Sequence, residues 1–174
     1  MGKSSQADKS FLNMAGEFLV AAELNRRGIL SAVTYGASKS CDVWAFDTKS
    51  KRAVRVEVKT TGEGSKRWVI GTRPLVRQDW DEDLFWVLVL LPQAHPSTSQ
   101  TTNEIRGQHT PRFFVLTSEE IWALICADDD QYRARYLVKH AKEYVGRAVL
   151  GVPINEGLSF ENCWAKIKSR VSTP

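Results

Sequence analysis

The chain has 174 residues, of which 43% are hydrophobic and 25% charged, so it can bury a core and is not polar enough to be disordered. No apolar run reaches the roughly 18 residues of a membrane-spanning helix, and the first residues lack a signal peptide's apolar stretch. We expect one domain over residues 1–174 in the cytoplasm, with residues 1–9 flexible. The net charge of +4 permits a polyanionic partner without establishing one.

The first half of the chain predicts a helix followed by short strands. Apolar residues recur at spacings of three and four from Phe11 to Ala22, with Ser10 as a candidate cap and Gly28 as a terminator. The short turn after Asp47 indicates a hairpin or meander. The predicted strands span residues 29–35, 41–47, 53–61 and 68–71.

The second half predicts one buried strand, a long connection and further helices. Residues 84–91 are apolar throughout, which is typical of a strand buried on both faces. Residues 93–111 are rich in Ser, Thr and Pro and predict a long loop. Three cysteines that lie far apart support neither a disulfide framework nor a zinc site, so we expect reduced thiols.

Helix signals then follow a short strand at residues 113–116. Thr117 and Glu120 have the spacing of a capping box. The acidic triplet at 128–130 is expected to end that helix or to cap a second one that runs to about residue 144. Ser159 is predicted to cap a final helix. This order of elements predicts one α/β sandwich.

A polar face on the third predicted strand carries the candidate chemistry. Val54, Val56 and Val58 alternate with Arg55, Glu57 and Lys59, so the two sets lie on opposite faces. Alone, a Glu-x-Lys triplet indicates no more than a solvated strand face. A similar Asp-x-Lys triplet, at residues 47–49, lies in a predicted turn and is interpreted as incidental.

Asp42 changes that interpretation, because it opens the strand predicted to pair with the one that carries Glu57. Pairing would bring the two carboxylates together as a hard oxygen site for Mg²⁺ or Mn²⁺. Lys59 projects from the same face and could orient a water or stabilise charge on a phosphodiester.

At three places the sequence resembles the PD-(D/E)XK nucleases, which include many restriction enzymes and the archaeal Holliday-junction resolvases. The first is Gly16-Glu17 in the predicted helix, the second is Asp42 before Val-Trp-Ala, and the third is Glu57-Val58-Lys59. The resemblance covers roughly residues 15–61. Lys39-Ser40-Cys41 stands where some members carry a proline before the aspartate.

The resemblance implies a restriction-endonuclease-like core, with a central mixed β-sheet flanked by helices, and DNA hydrolysis in repair, restriction or defence. By the same resemblance, Asp42, Glu57 and the carbonyl of Val58 would bind Mg²⁺ or Mn²⁺. Lys59 would position water or stabilise charge, and Glu17 would reach the site as a second ligand or an outer partner. For Glu17, a solvated helix flank is the competing interpretation.

Partners follow from this expectation. The candidates for contacts with nucleic acid are Arg55, Lys66, Arg67, Trp68 and Arg73. Trp86, Trp122 and Trp164 lie in apolar patterns and are interpreted as core. The alternatives are a catalytically inactive nucleic-acid-binding module of the same fold and an RNA-directed nuclease.

We also expect a homodimer, because one site of this kind cuts one strand and a duplex has two. The final helix around Trp164, or the segment 93–111, could supply its interface.

Overall fold

The protein is described by a computed structural model that covers residues 6–35, 40–71, 81–92, 110–146 and 149–172. The helices are α1 (Gln6–Arg26), α2 (Ser118–His140), the short α3 (Ile154–Gly157) and α4 (Ala165–Ser172), with a 3-10 turn at Leu158–Phe160. The strands are β1 (Leu30–Val33), β2 (Val43–Phe46), β3 (Ala53–Gly62), β4 (Arg67–Gly71), β5 (Leu84–Leu91), β6 (Arg112–Thr117) and β7 (Leu150–Pro153).

Five of these strands form a mixed sheet in the order β1-β2-β3-β5-β6. The first three make an antiparallel meander, as the turn after Asp47 predicts. β5 then pairs parallel to β3, with Glu57 opposite Trp86, and β6 returns antiparallel to β5. The predicted α/β class, with a central mixed sheet flanked by helices, is confirmed.

One face of this sheet packs against α1 and α4. The predicted alternation on β3 is confirmed, because Val54, Val56 and Val58 are all buried on this face. They share one core with Val20 and Leu24 of α1. Burying such aliphatic side chains contributes about 1.5–3 kcal/mol each relative to exposing them, so this valine face fixes the position of α1.

The opposite face packs against α2 and a two-stranded sheet of β4 and β7. Ile121 and Ile125 of α2 are buried there beside Leu88, Phe114 and Leu116 of the central sheet. The capping box at the start of α2 is confirmed, since Glu120 N donates to Thr117 and Thr117 N donates to Glu120.

Several predicted boundaries are wrong. α1 begins at Gln6, so Ser10 lies inside it, and residues 6–9 are helical rather than loose. The acidic triplet neither ends nor starts a helix, because two of its carboxylates are neutralised: Asp128 by Arg67 at 2.7 Å and Asp129 by Arg133 at 2.6 Å. Ser159 lies in the 3-10 turn, and β7 has no counterpart in the prediction.

Two predictions fall outside the described residues, wholly or in part. They are the flexibility of residues 1–5 and most of the loop at 93–111. Among the described ranges, no helix combines the length and the apolar character needed to cross a membrane.

A close contact between Gly16 and Thr60 sets how near α1 approaches β3. A Cβ atom added at Gly16 would lie 1.9 Å from Thr60 Oγ1. Alanine is the better helix former by about 1 kcal/mol. The clash should outweigh this gain, because overpacking a core costs about 1–3 kcal/mol. We expect Gly16→Ala to lower the free energy of unfolding, measured by urea denaturation.

Thr60→Ala in the Gly16→Ala background is the control, because it removes Oγ1 and should recover part of the loss. A Gly16→Ala protein at least as stable as the parent would contradict the contact.

Candidate active site

Three of the predicted site residues meet on the face of β3 that points away from the valine core. Lys59 Nζ lies 3.2 Å from Glu57 Oε2 and 3.8 Å from Asp42 Oδ2. The same ammonium donates to the carbonyl oxygen of Val58 at 3.2 Å. Two carboxylates and one carbonyl therefore converge on a single cationic group.

Asp42 is held in place at the point where β2 begins. Its side chain is only 8% exposed, and its Oδ2 accepts a hydrogen bond from the backbone N–H of Val58 at 2.7 Å. Its own N–H donates to the carbonyl of Val56, and its carbonyl accepts from Thr34 N–H. A buried carboxylate needs such donors and a nearby cation, so Asp42 has little freedom to leave the site.

A narrow cavity of about 70 Å³ adjoins this cluster. Glu57, Lys59 and Trp86 line it together with Trp122 and apolar residues of α2. Lys59 Nζ lies 5.5 Å from the centre of the Trp86 ring, within range of a cation–π interaction. Trp86 Nε1 is buried and finds no hydrogen-bond partner among the described residues.

The sequence assigned Trp86 and Trp122 to the core, which is correct in part. It did not predict that both line the site cavity. Both are half-buried and line the site cavity. Every position from 84 to 91 except Trp86 is purely aliphatic or Phe, so the apolar pattern hides which positions face the cavity. The parallel register that places Trp86 opposite Glu57 is the missing signal.

Cys41, next to Asp42, stays a neutral thiol. Burial raises the pKa of Cys41 above its ordinary value, and the negative charges of Glu57 and Asp42 add to the rise. A protonated, buried thiol is a poor nucleophile and a poor metal ligand. The three cysteines, each in a described range, form no disulfide, as expected.

Glu17 is half-buried on α1, next to the Gly16 that contacts Thr60. At 100° per residue it falls on the side of the helix that carries the buried Val20 and Ala21. Its position on α1 is therefore on the side that packs on the sheet, near the end of β3 that follows Lys59.

The residues predicted to contact nucleic acid lie in different settings. Lys66 is exposed. Arg55 forms an ion pair with Asp81, and Arg67 donates to Asp128 Oδ2 at 2.7 Å and to the carbonyl of Val149 at 3.0 Å. Arg73 lies outside the described residues.

Trp68 corrects the prediction that it contacts substrate. Its side chain is fully buried, packs against Phe114 and donates from Nε1 to the carbonyl of Val89 at 2.9 Å. The cations at 66 and 67 suggested an exposed ring, but alternation along β4 turns Trp68 towards the core and its neighbours away.

Comparisons with known proteins do not assign a function to this chain. No family model matches the sequence, and no curated protein matches it. One solved structure with a similar outline is the bacterial homing endonuclease I-Ssp6803I, with a TM-score of 0.42 and 15% sequence identity. The match covers 99% of this chain and 96% of that chain. A likeness at this level does not transfer a function from one chain to the other.

The hydrogen bond between Asp42 and Val58 N–H generates a prediction on stability. Asp42→Ala removes the acceptor and leaves a buried N–H unpaired, which costs about 1–3 kcal/mol. Asp42→Asn keeps an acceptor oxygen at the same place. We expect the Ala variant to unfold at lower urea concentration than the Asn variant. Equal midpoints for the two would show that this bond contributes nothing to stability.

Proposed function

We propose that the protein is a divalent-metal-dependent endonuclease of the PD-(D/E)XK class that hydrolyses phosphodiester bonds of DNA. The observation that carries the proposal is the meeting of Asp42, Glu57 and Lys59 within hydrogen-bond or ion-pair distance. These are the residues on which the sequence resembles that class, in the order that the class requires.

The donor set around Lys59 suits a hard divalent cation. Asp42 Oδ2, Glu57 Oε2 and the carbonyl oxygen of Val58 all point at one ammonium, which marks where positive charge is stabilised. Among the described residues, no group of three or more His, Cys, Asp or Glu side chains is placed to hold a metal ion. Two carboxylates with a carbonyl and water are the kind of set that Mg²⁺ accepts.

When bound there, Mg²⁺ or Mn²⁺ would supply Lewis-acid stabilisation and a more acidic water. The chain's own groups have separate tasks. Asp42 and Glu57 fix the position of positive charge, and Lys59 carries a mobile cation that can follow negative charge developing on the phosphodiester. Glu17, on the inward side of α1, is the candidate for a further carboxylate contact.

The rival proposal is a nucleic-acid-binding module of the same fold without catalysis. Such a module has no need to hold two carboxylates and a lysine together against a cavity, so the intact cluster favours the enzyme. The cluster itself does not choose DNA over RNA, and a single-stranded RNA substrate belongs in the assay for that reason.

Conservative variants test the proposed chemistry. Asp42→Asn, Glu57→Gln and Lys59→Met each remove one charge and keep the shape of the side chain. We expect each to lower the cleavage rate at least about a hundredfold, because electrostatic stabilisation of the reaction is lost. Plasmid DNA, a synthetic junction and RNA are incubated over a Mg²⁺ titration, and products are separated on gels.

Glu63→Gln and Lys49→Met are the matched controls. Both residues are exposed, and Lys49 belongs to the incidental Asp-x-Lys triplet in the turn after β2. The controls should cut at the parent rate. Site variants that also cut at that rate would show that the assignment of the site is wrong, and a parent that cuts no substrate while binding it would favour the inactive module.

We further infer that the active form is a homodimer, since each chain offers one candidate site for two strands. Trp164 itself offers no surface for the predicted interface, because it is 4% exposed and packs against Phe113 in the core. A better surface is an apolar stripe on α1, where Phe11, Met14 and Phe18 are exposed at helical spacing and Tyr35 lies beside Phe18.

Phe11→Glu tests the dimer, because it places a charge on the most exposed ring of this stripe. We expect the parent to sediment as a dimer at micromolar concentration and the variant to sediment at the monomer mass of 19.6 kDa. Leu158→Glu, at an exposed position of the 3-10 turn, is the control and should leave the dimer intact. A parent that is monomeric with and without DNA would refute the inference.

A further inference from the structure

The second half of α2 extends beyond the packed body of the protein. Ile121, Ile125 and Asp129 are buried in its first half. From Asp130 to His140, every residue except Tyr136 is exposed. We call residues 130–144 the arm. A helical segment with so little packing is stabilised little by the core. Core packing therefore does not explain which residues occur in it.

The charge of the arm is net positive. It carries four basic residues, Arg133, Arg135, Lys139 and Lys142, and its two acidic residues, Asp130 and Glu143, lie at its ends. Arg133 is bound to Asp129, and the other three cations are exposed. This net positive charge complements a polyanion and disfavours a second copy of the same arm.

Aromatic rings run along one side of the arm. Tyr132, Tyr136 and His140 follow each other at intervals of four residues, with ring centres 6.3 and 4.3 Å apart. Tyr144 folds back and meets Tyr132 and Tyr136 edge-on, at 5.1 and 5.0 Å. Proteins that bind single-stranded nucleic acid combine the same two features. Aromatic side chains stack on unpaired bases, and nearby cations contact the phosphates.

The row begins at a recess of about 220 Å³ beside the site. Its polar and aromatic lining is Arg67, Asp128, Asp129, Tyr132, Arg135 and Tyr144. Asp129 is 5% exposed, and its Oδ1 has no hydrogen-bond partner among the described residues. Leu150 lines both this recess and the site cavity, and Asp129 is one helical turn, about 6 Å, beyond Ile125 of that cavity.

We propose that the arm binds an unpaired strand of nucleic acid, with bases stacked on Tyr132 and Tyr136 and phosphates beside Arg135 and Lys139. The proposal rests on the proposed function and names its substrate class, a nucleic acid with a single-stranded segment. A duplex presents its bases stacked inside, so the aromatic row would add nothing to duplex binding.

Binding without divalent ions isolates the arm from the chemistry. A labelled single-stranded DNA and the same sequence as a blunt duplex are titrated by fluorescence anisotropy in a chelator, at several salt concentrations. We expect the single strand to bind more tightly. Tyr132→Leu should weaken single-strand binding about tenfold, and Tyr132→Phe should leave it unchanged, because the phenyl ring keeps the stacking surface.

A charge variant provides an independent readout. Arg135→Gln should weaken binding and reduce the slope of log affinity against log salt by about 0.7, the value for one phosphate contact on a single strand. Lys168→Gln, on the exposed surface of α4 at the other face of the sheet, is the matched control and should change neither. Circular dichroism confirms that each variant is folded.

Three results would overturn the proposal. They are equal affinities for Tyr132→Leu and the parent, tighter binding of the duplex, and equal effects of Arg135→Gln and Lys168→Gln, which would mark the arm as a solvated helix end. Loss of self-association in Tyr132→Leu with unchanged DNA binding would assign the arm to a second copy instead. If the parent protein binds single strands through the arm but cleaves no substrate, only the proposed function is refuted. If it cleaves DNA and the arm variants bind single strands as the parent does, only the proposal for the arm is refuted.

Discussion

The alternation of side chains along β3 is the constraint on which the other layers depend. β3 pairs with β2 on one edge and with β5 on the other, so both of its faces must be covered by elements outside the central sheet. Its valines require an apolar layer, which α1 and α4 supply. The polar set on the other face cannot be buried without partners, and this leaves room for a cavity between the sheet and α2.

That second face is electrostatically incomplete without a cation. Asp42 is nearly inaccessible, and Glu57 lies close enough to share an ammonium with it. With Lys59 withdrawn, two carboxylates would face each other in a poorly solvated place, which raises the free energy of the folded state. The fold thus selects for positive charge at this point, whether it comes from Lys59 or from a divalent ion that the proposed reaction would use.

The sequence was sufficient wherever local pattern decides structure. The alternation at Val54 to Lys59, the extent of β5 and the capping box of Thr117 and Glu120 were all predicted, because each depends on neighbours within a few residues. The convergence of Asp42 with Glu57 could also be anticipated, since a short meander joins their strands. The roles of these groups in catalysis stay a prediction until cleavage is measured.

Other features depend on partners distant in sequence, and there the pattern misled. Asp128 resembles a helix stop until Arg67, 61 residues away in the sequence, neutralises it. Trp68 resembles a surface ring beside two cations until β7 pairs with β4 and Phe114 closes over it. Trp86 resembles core until the parallel register sets it beside Glu57.

α2 connects the site with the surface that we propose for substrate. Its first half must be apolar on one side, because Ile121 and Ile125 close the cavity next to Lys59. Burial stops at Asp129, and from Gln131 to His140 every exposed charged side chain is basic. A helix that served only to cover the sheet could end at that point. Its continuation by almost three further turns, with cations and rings in a row leading away from the cavity, is best explained by a polyanionic strand that passes along α2 towards the carboxylates.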